Sequence, residues 1–203
     1  SWEKAYKLVR QGYKINELEW KTITTNKSKL GETAVLDNKA VYFNNQYNLG
    51  WLELELMPSV GNTDSALILY KERESYYKER YQCQLNYAEL LRDVNPREAS
   101  MHYQTAINIM PDNHEPYFAM ASLYFDMGYY YLDEAKNDKA NAKDYKVRGL
   151  QLLDVGYPYM QKAHELLPES TLALQLLTKV SKDLDKKEDQ KTYKGKLEAL
   201  NKG

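Results

Sequence analysis

The chain has 203 residues and a formal net charge of −1, from 28 basic and 29 acidic side chains, and it carries one cysteine, Cys83. That balance sets up no overall field for a polyanion, and a single cysteine excludes an internal disulfide and a multi-cysteine zinc site. Nine glycines, six prolines and few β-branched residues favour helix, and no apolar run reaches the roughly 20 residues of a membrane span.

Trp2 to Glu19 reads as one amphipathic helix, with Ala5, Leu8, Val9, Tyr13 and Trp20 near one stripe. Thr22 to Glu32 reads as loop. Residues 1–39 are therefore expected to form an N-terminal cap or a truncated repeat. From about residue 40 a different pattern begins. Tyr47-Asn-Leu49-Gly50-Trp51 lies on the first helix of a pair, Pro58 to Asn62 forms its loop, and Ala66 with Tyr70 marks the returning helix. Arg73 stands where a small residue is expected, so this pair is predicted to pack less tightly. Leu85-Asn-Tyr87-Ala88-Glu-Leu-Leu91 opens a second pair, which Ala99, Tyr103, Ala106 and Pro111 close.

Small residues let two helices approach, bulky ones fill the gaps beside them, and the proline turns the chain onward. The marks recur. Fifty-seven residues on, Ala99 maps to Gly156, Tyr103 to Met160, Ala106 to Ala163 and Pro111 to Pro168. Tyr117, Met120 and Ala121 map by the same step to Leu174, Leu177 and Thr178, which equals one 34-residue repeat plus 23 inserted residues. On these strings the chain resembles the tetratricopeptide repeat family from about residue 40 to its end. The resemblance implies a right-handed α-solenoid of antiparallel helix pairs, at about 40–78, 79–112, 114–168 and 170–202.

The inserted residues, about 125–155, keep helical spacing on both sides of a polar turn, Asn137-Asp-Lys-Ala-Asn. Tyr124, Gly128, Tyr131 and Ala135 continue one stripe outward, and Ala142, Tyr145, Gly149, Leu152 and Gly156 continue the other back. A lengthened helical hairpin is predicted, kinked at Pro158, whose ring opposes the carbonyl of Asp154. Lengthened repeats of this kind resemble those of tetratricopeptide proteins in Bacteroidetes, many of them exported. A periplasmic or exported location is thereby implied ahead of a cytoplasmic one. Nineteen tyrosines against three Phe and three Trp suit shallow helix seams, where a ring is buried and its hydroxyl stays wet.

Catalytic chemistry is not expected. His102, His114 and His164 lack metal-ligand spacing and read as surface residues, and no phosphate loop or nucleophile elbow occurs. No cofactor, metal or nucleic acid is called for. In the family, four positions on each first helix face a concave groove. Here these are Asn44, Tyr47, Trp51 and Leu54; Gln82, Leu85, Glu89 and Arg92; Glu115, Phe118, Ser122 and Phe125; and Leu172, Gln175, Lys179 and Lys182. The clamp of Lys and Asn that holds chaperone tails is missing, since Tyr47, Trp51, Leu85 and Phe118 occupy the matching positions. The expectation is a non-catalytic module that binds a protein or peptide segment through Tyr47, Trp51, Glu89, Arg92, Phe118, Ser122, Phe125 and Lys179. The alternative is a scaffold or sensor segment of a larger assembly.

Overall fold

The computed structural model describes residues 2–26, 29, 32–56 and 63–201, and among these the chain is helical with no strand. The described elements are α1 (Trp2–Thr25), α2 (Glu32–Leu56), α3 (Thr63–Tyr77), α4 (Tyr81–Leu91), α5 (Pro96–Ile109), α6 (His114–Asn137), α7 (Ala142–Leu166), α8 (Thr171–Asp183) and α9 (Lys187–Leu200). Contacts divide the chain into two compact units, residues 1–91 and 92–203. The division at Leu91 falls inside the stretch that the repeat pattern treats as one array. The predicted loop from Pro58 to Asn62 lies outside the described residues.

In the first unit α1 packs along α2, and α2, α3 and α4 pack on one another. The α1 helix outlasts its predicted end. Thr22, Thr24 and Thr25 donate their hydroxyls to the carbonyls of Leu18, Trp20 and Lys21 at 2.9, 3.0 and 2.8 Å, so the polar groups that favour turns are satisfied within the helix itself. Its buried face is also rotated from the expected stripe. Val9 and Asn16 are buried, while Leu8 is 65% exposed. Asn16 donates to the Tyr42 carbonyl at 3.2 Å and accepts from Asn45 at 3.3 Å, so a polar pair sits within the seam. Further along, Ala66 and Ala88 are fully buried, Tyr70 stacks on Tyr87 at 5.1 Å, and the Tyr70 hydroxyl donates to the Leu54 carbonyl.

In the second unit each helix start has a local cause. Asn95 accepts from the Glu98 backbone while its amide donates to the Glu98 carboxylate, and Pro96 fills the first helical position of α5. Asn113 caps α6 by accepting from the Glu115 backbone, and Ser170 caps α8 by accepting from the Ala173 backbone. The α6 and α7 helices form the most extensive described contact, joined by a turn in which Asp138 accepts from the backbone of Ala140 and Asn141. Glycine makes that contact possible. A Cβ added at Gly149 would lie 2.8 Å from the Gly128 carbonyl oxygen, and one at Gly128 would lie 3.0 Å from the Gly149 oxygen. The core continues through Ala121, Phe125, Leu153, Met160 and Ala163 to Leu174, Leu177 and Val180 of α8 and Tyr193 of α9. Helix α7 runs through Pro158 without ending.

Two histidines depart from the surface reading. His102 and His164 are both buried, His164 at 6% exposure under α9. Its ring meets Tyr193 edge-on at 5.9 Å, and its Nε2 lies 3.3 Å from the Lys196 ammonium. An ammonium only donates, so Nε2 accepts and the ring proton sits on Nδ1, which is buried without a partner.

Two predictions follow from this packing. Gly149→Ala should destabilise the protein by about 1–3 kcal/mol, because the atom in the way is backbone. Gly195→Ala, where an added Cβ meets nothing within 4 Å, should stabilise α9 by about 0.5–1 kcal/mol. Chemical denaturation of both variants is the measurement. Burial first, and then Lys196, lower the His164 pKa below 6.5, with Glu165 opposing them. The unfolded chain therefore binds this proton at higher pH than the folded one. The stability associated with neutral His164 should be complete above 6.5 and be lost as pH falls through the lowered folded pKa. His164→Gln should flatten that part of the profile in denaturation series spanning this range.

Candidate functional site

In the first unit an open hollow of about 520 Å³ lies among α1, α2 and α3. Tyr13 and Glu17 come from successive turns of α1, and Tyr42, Phe43, Gln46 and Tyr47 come from α2. Arg73 of α3 completes the lining. Helical spacing accounts for the grouping, since residues three and four apart share a face.

Each ring is fixed by a neighbour. Tyr42 stacks on Trp20 at 5.1 Å and donates its hydroxyl to Glu17 at 3.1 Å. Phe43 meets the Tyr42 ring edge-on at 5.3 Å and is 56% exposed. The Tyr47 hydroxyl accepts from Arg80 Nε at 2.9 Å, and the guanidinium lies 5.0 Å above the same ring.

Beneath the hollow is Glu53 of α2, whose side chain is 2% exposed. Arg10 of α1 donates to its Oε1 at 2.9 Å, Arg73 of α3 donates to its Oε2 at 2.7 Å, and Tyr6 adds a longer contact. Arg73 also donates to the Tyr13 hydroxyl at 2.9 Å. Burial pushes the Tyr13 phenol above its ordinary range, with Arg73 pulling against it and Glu53 adding to it. Arg73, which stands where a small residue is expected, is one of two counter-ions of this buried carboxylate.

The residues expected in a single groove are distributed over both units. Tyr47 stands in the wall of the hollow, Trp51 follows one turn later on α2 with its side chain outside the described residues, and Glu89 is exposed on α4. In the second unit Arg92 pairs with Asp126 of α6 beside a smaller hollow of about 430 Å³, lined also by Leu123, Met127 and Tyr130. Phe118 and Ser122 are half-buried on α6, and Lys179 of α8 rests its ammonium 3.7 Å from the Tyr129 ring. Phe125 is a correction. At 2% exposure it belongs to the core, because Gly156 of α7 has no side chain and the Phe125 ring fills the space. Leu54 and Leu85 are buried likewise.

Of the residues that line the hollow, Tyr13, Glu17, Tyr42, Phe43, Gln46 and Arg73 were not among the expected groove positions. The available signals were the four-residue spacing of Tyr13 with Glu17 and of Phe43 with Tyr47. Among the described residues no cluster of His, Cys, Asp and Glu could hold a metal ion, and no helix is long and apolar enough to cross a membrane. No protein-family model matches the chain, and no curated protein is significantly similar to it.

The buried carboxylate generates a prediction. Arg73→Ala leaves Glu53 with Arg10 alone, so the loss should sit toward the low end of the roughly 3–5 kcal/mol seen when a buried ion pair is broken. Glu53→Gln combined with Arg73→Ala should be less damaging than the two losses added, as a double-mutant cycle by denaturation would show.

Proposed function

We propose that the chain is a non-catalytic protein-interaction module, built as a tetratricopeptide-like solenoid of helix pairs, that holds a segment of a partner protein. The observation that carries this reading is the hollow of the first unit. Four aromatic rings line an open concavity on three helices, and Tyr47, one of the groove positions of the repeat pattern, stands in its wall. Exposed rings held by their neighbours bury large area at small entropic cost, which is what binding hot spots require. In the second unit Phe118, Ser122 and Lys179 remain as a further contact patch with Arg92 as a polar contributor, Glu89 stays an exposed contact residue of the first unit, and Phe125 drops out.

A second reading, a scaffold segment that contacts neighbours by its outer surface, is favoured by one observation. Leu8, Ile15 and Leu18 all lie exposed on α1. Partner capture by wild type, Phe43→Ala, Tyr47→Ala and Trp51→Ala, set beside an Ile15→Glu variant, separates the two. The first reading expects the ring truncations to lower affinity by about 1–2 kcal/mol or more while Ile15→Glu binds normally. The scaffold reading expects the reverse. Truncating an exposed ring should also cost much less stability than Leu177→Ala, expected at about 2–5 kcal/mol.

A further inference from the structure

Among the described residues, α7 and α9 of the second unit meet through a ladder of four polar contacts, each joining residues 32 positions apart. Lys186, at the start of α9, pairs with Asp154 at 3.1 Å, and the Tyr157 hydroxyl donates to Asp189 at 2.9 Å. The Gln161 amide donates to the Tyr193 hydroxyl at 3.0 Å, and Lys196 meets His164 Nε2 at 3.3 Å. The constant offset sets Tyr157, Gln161 and His164 on one face of α7 and Asp189, Tyr193 and Lys196 on one face of α9, with the same spacing on both. Along α9 only Tyr193 is buried, with Leu197 partly so, and a Cβ added at Gly195 would meet nothing within 4 Å. The attachment of α9 to α7 therefore leans on the ladder.

We propose that the His164 rung is an acid switch, which holds α9 on α7 while the ring is neutral and releases it when the ring is protonated, the rest of the second unit staying folded. The other three rungs keep their donors and acceptors near neutral pH, whereas imidazole changes charge there. A neutral ring accepts from the Lys196 ammonium at Nε2. A protonated ring sets a donor against a donor, with two positive charges 3.3 Å apart. The neighbouring groups do not relieve this. Glu165, on the ring's own helix, favours the charged form but is exposed and already paired with Lys162 at 3.2 Å. Tyr193 of α9 turns its ring edge to the imidazole, and among the described residues α8 brings no charge to bear on it. Swinging Lys196 into solvent would still leave a charged ring buried under α9, with Nδ1 without a partner. Lifting α9 admits water to both nitrogens, and it uncovers the α7 face that carries Tyr157, Gln161 and His164.

Amide hydrogen exchange of the full chain tests this, read helix by helix at about pH 7.5 and about pH 5 and corrected for the intrinsic effect of pH on exchange. Protection of α9 should fall about fivefold or more on acidification, while α5 and α6 keep theirs. His164→Gln, which cannot take up the proton, should leave α9 equally protected at both pH values. Lys196→Gln, at an exposed position, should shrink the acid loss because the like charge is gone. Should His164→Gln loosen α9 at both pH values, Lys196→Gln decides, and an undiminished acid loss in that variant overturns the switch. An α9 already unprotected at the higher pH, an acid loss that survives His164→Gln, or one shared equally by α5 and α6 overturns it too.

Discussion

A carboxylate almost sealed from water must be neutralised by the protein around it, and Glu53 imposes that requirement on three helices at once. It sits on α2 and draws Arg10 from α1 and Arg73 from α3. Taking such a charge out of water costs several kcal/mol, so the arrangement persists only where both partners reach it. The rotation of α1 follows from this. Arg10 must face α2, which brings Tyr13, one turn on, to the same side and into the wall of the hollow. Leu8 is then turned outward, although hydrophobicity alone would have buried it. The ion pairs thus set both the concave aromatic surface and the exposed apolar stripe of the first unit.

The second unit packs by another device. Its longest contact depends on removing side chains. Gly128 and Gly149 let the backbones of α6 and α7 approach until each carbonyl oxygen nearly touches the other helix, and Gly156 leaves the space that Phe125 occupies. Close backbone approach of this kind fixes register tightly, because no larger residue fits without displacing backbone. Phe125 becomes core by the same event, so a residue that counts as groove-facing in a regular repeat is lost to recognition.

Long periodic elements were legible in the sequence. The two stripes on either side of Asn137-Asp-Lys-Ala-Asn run in the structure as α6 and α7, and Ala88, Ala99, Ala121 and Ala163 are buried. What could not be read was whatever depends on a specific partner far along the chain. The threonines after Trp20 look like loop because their hydroxyls favour turns, yet here those hydroxyls bond back into the helix. Arg73 looks misplaced until Glu53, twenty residues earlier, is placed beside it. His164 looks like a surface residue because no sequence spacing reports that α9 will lie across it. In the hollow, Tyr47 was legible from repeat register, whereas Tyr13 belongs to a helix outside the recognisable repeat.

The abundance of tyrosine over phenylalanine has a consequence for recognition. Across the molecule the ring lies in a helix seam while the hydroxyl reaches a polar group on another helix. Tyr129 donates to Asp183 at 2.8 Å, Tyr157 donates to Asp189 at 2.9 Å and Tyr70 donates to the Leu54 carbonyl at 3.1 Å. Burial, reinforced by the carboxylate each one meets, holds the Tyr129 and Tyr157 phenols above their ordinary range, so they remain protonated donors. The same use of hydroxyls occurs around the hollow, where Tyr42, Tyr13 and Tyr47 are bonded to Glu17, Arg73 and Arg80. On the reading proposed above, the ring faces are what the hollow would chiefly offer a partner. Ring faces accept many apolar side chains almost equally, so on that reading discrimination among partners would fall to the polar groups around the rings.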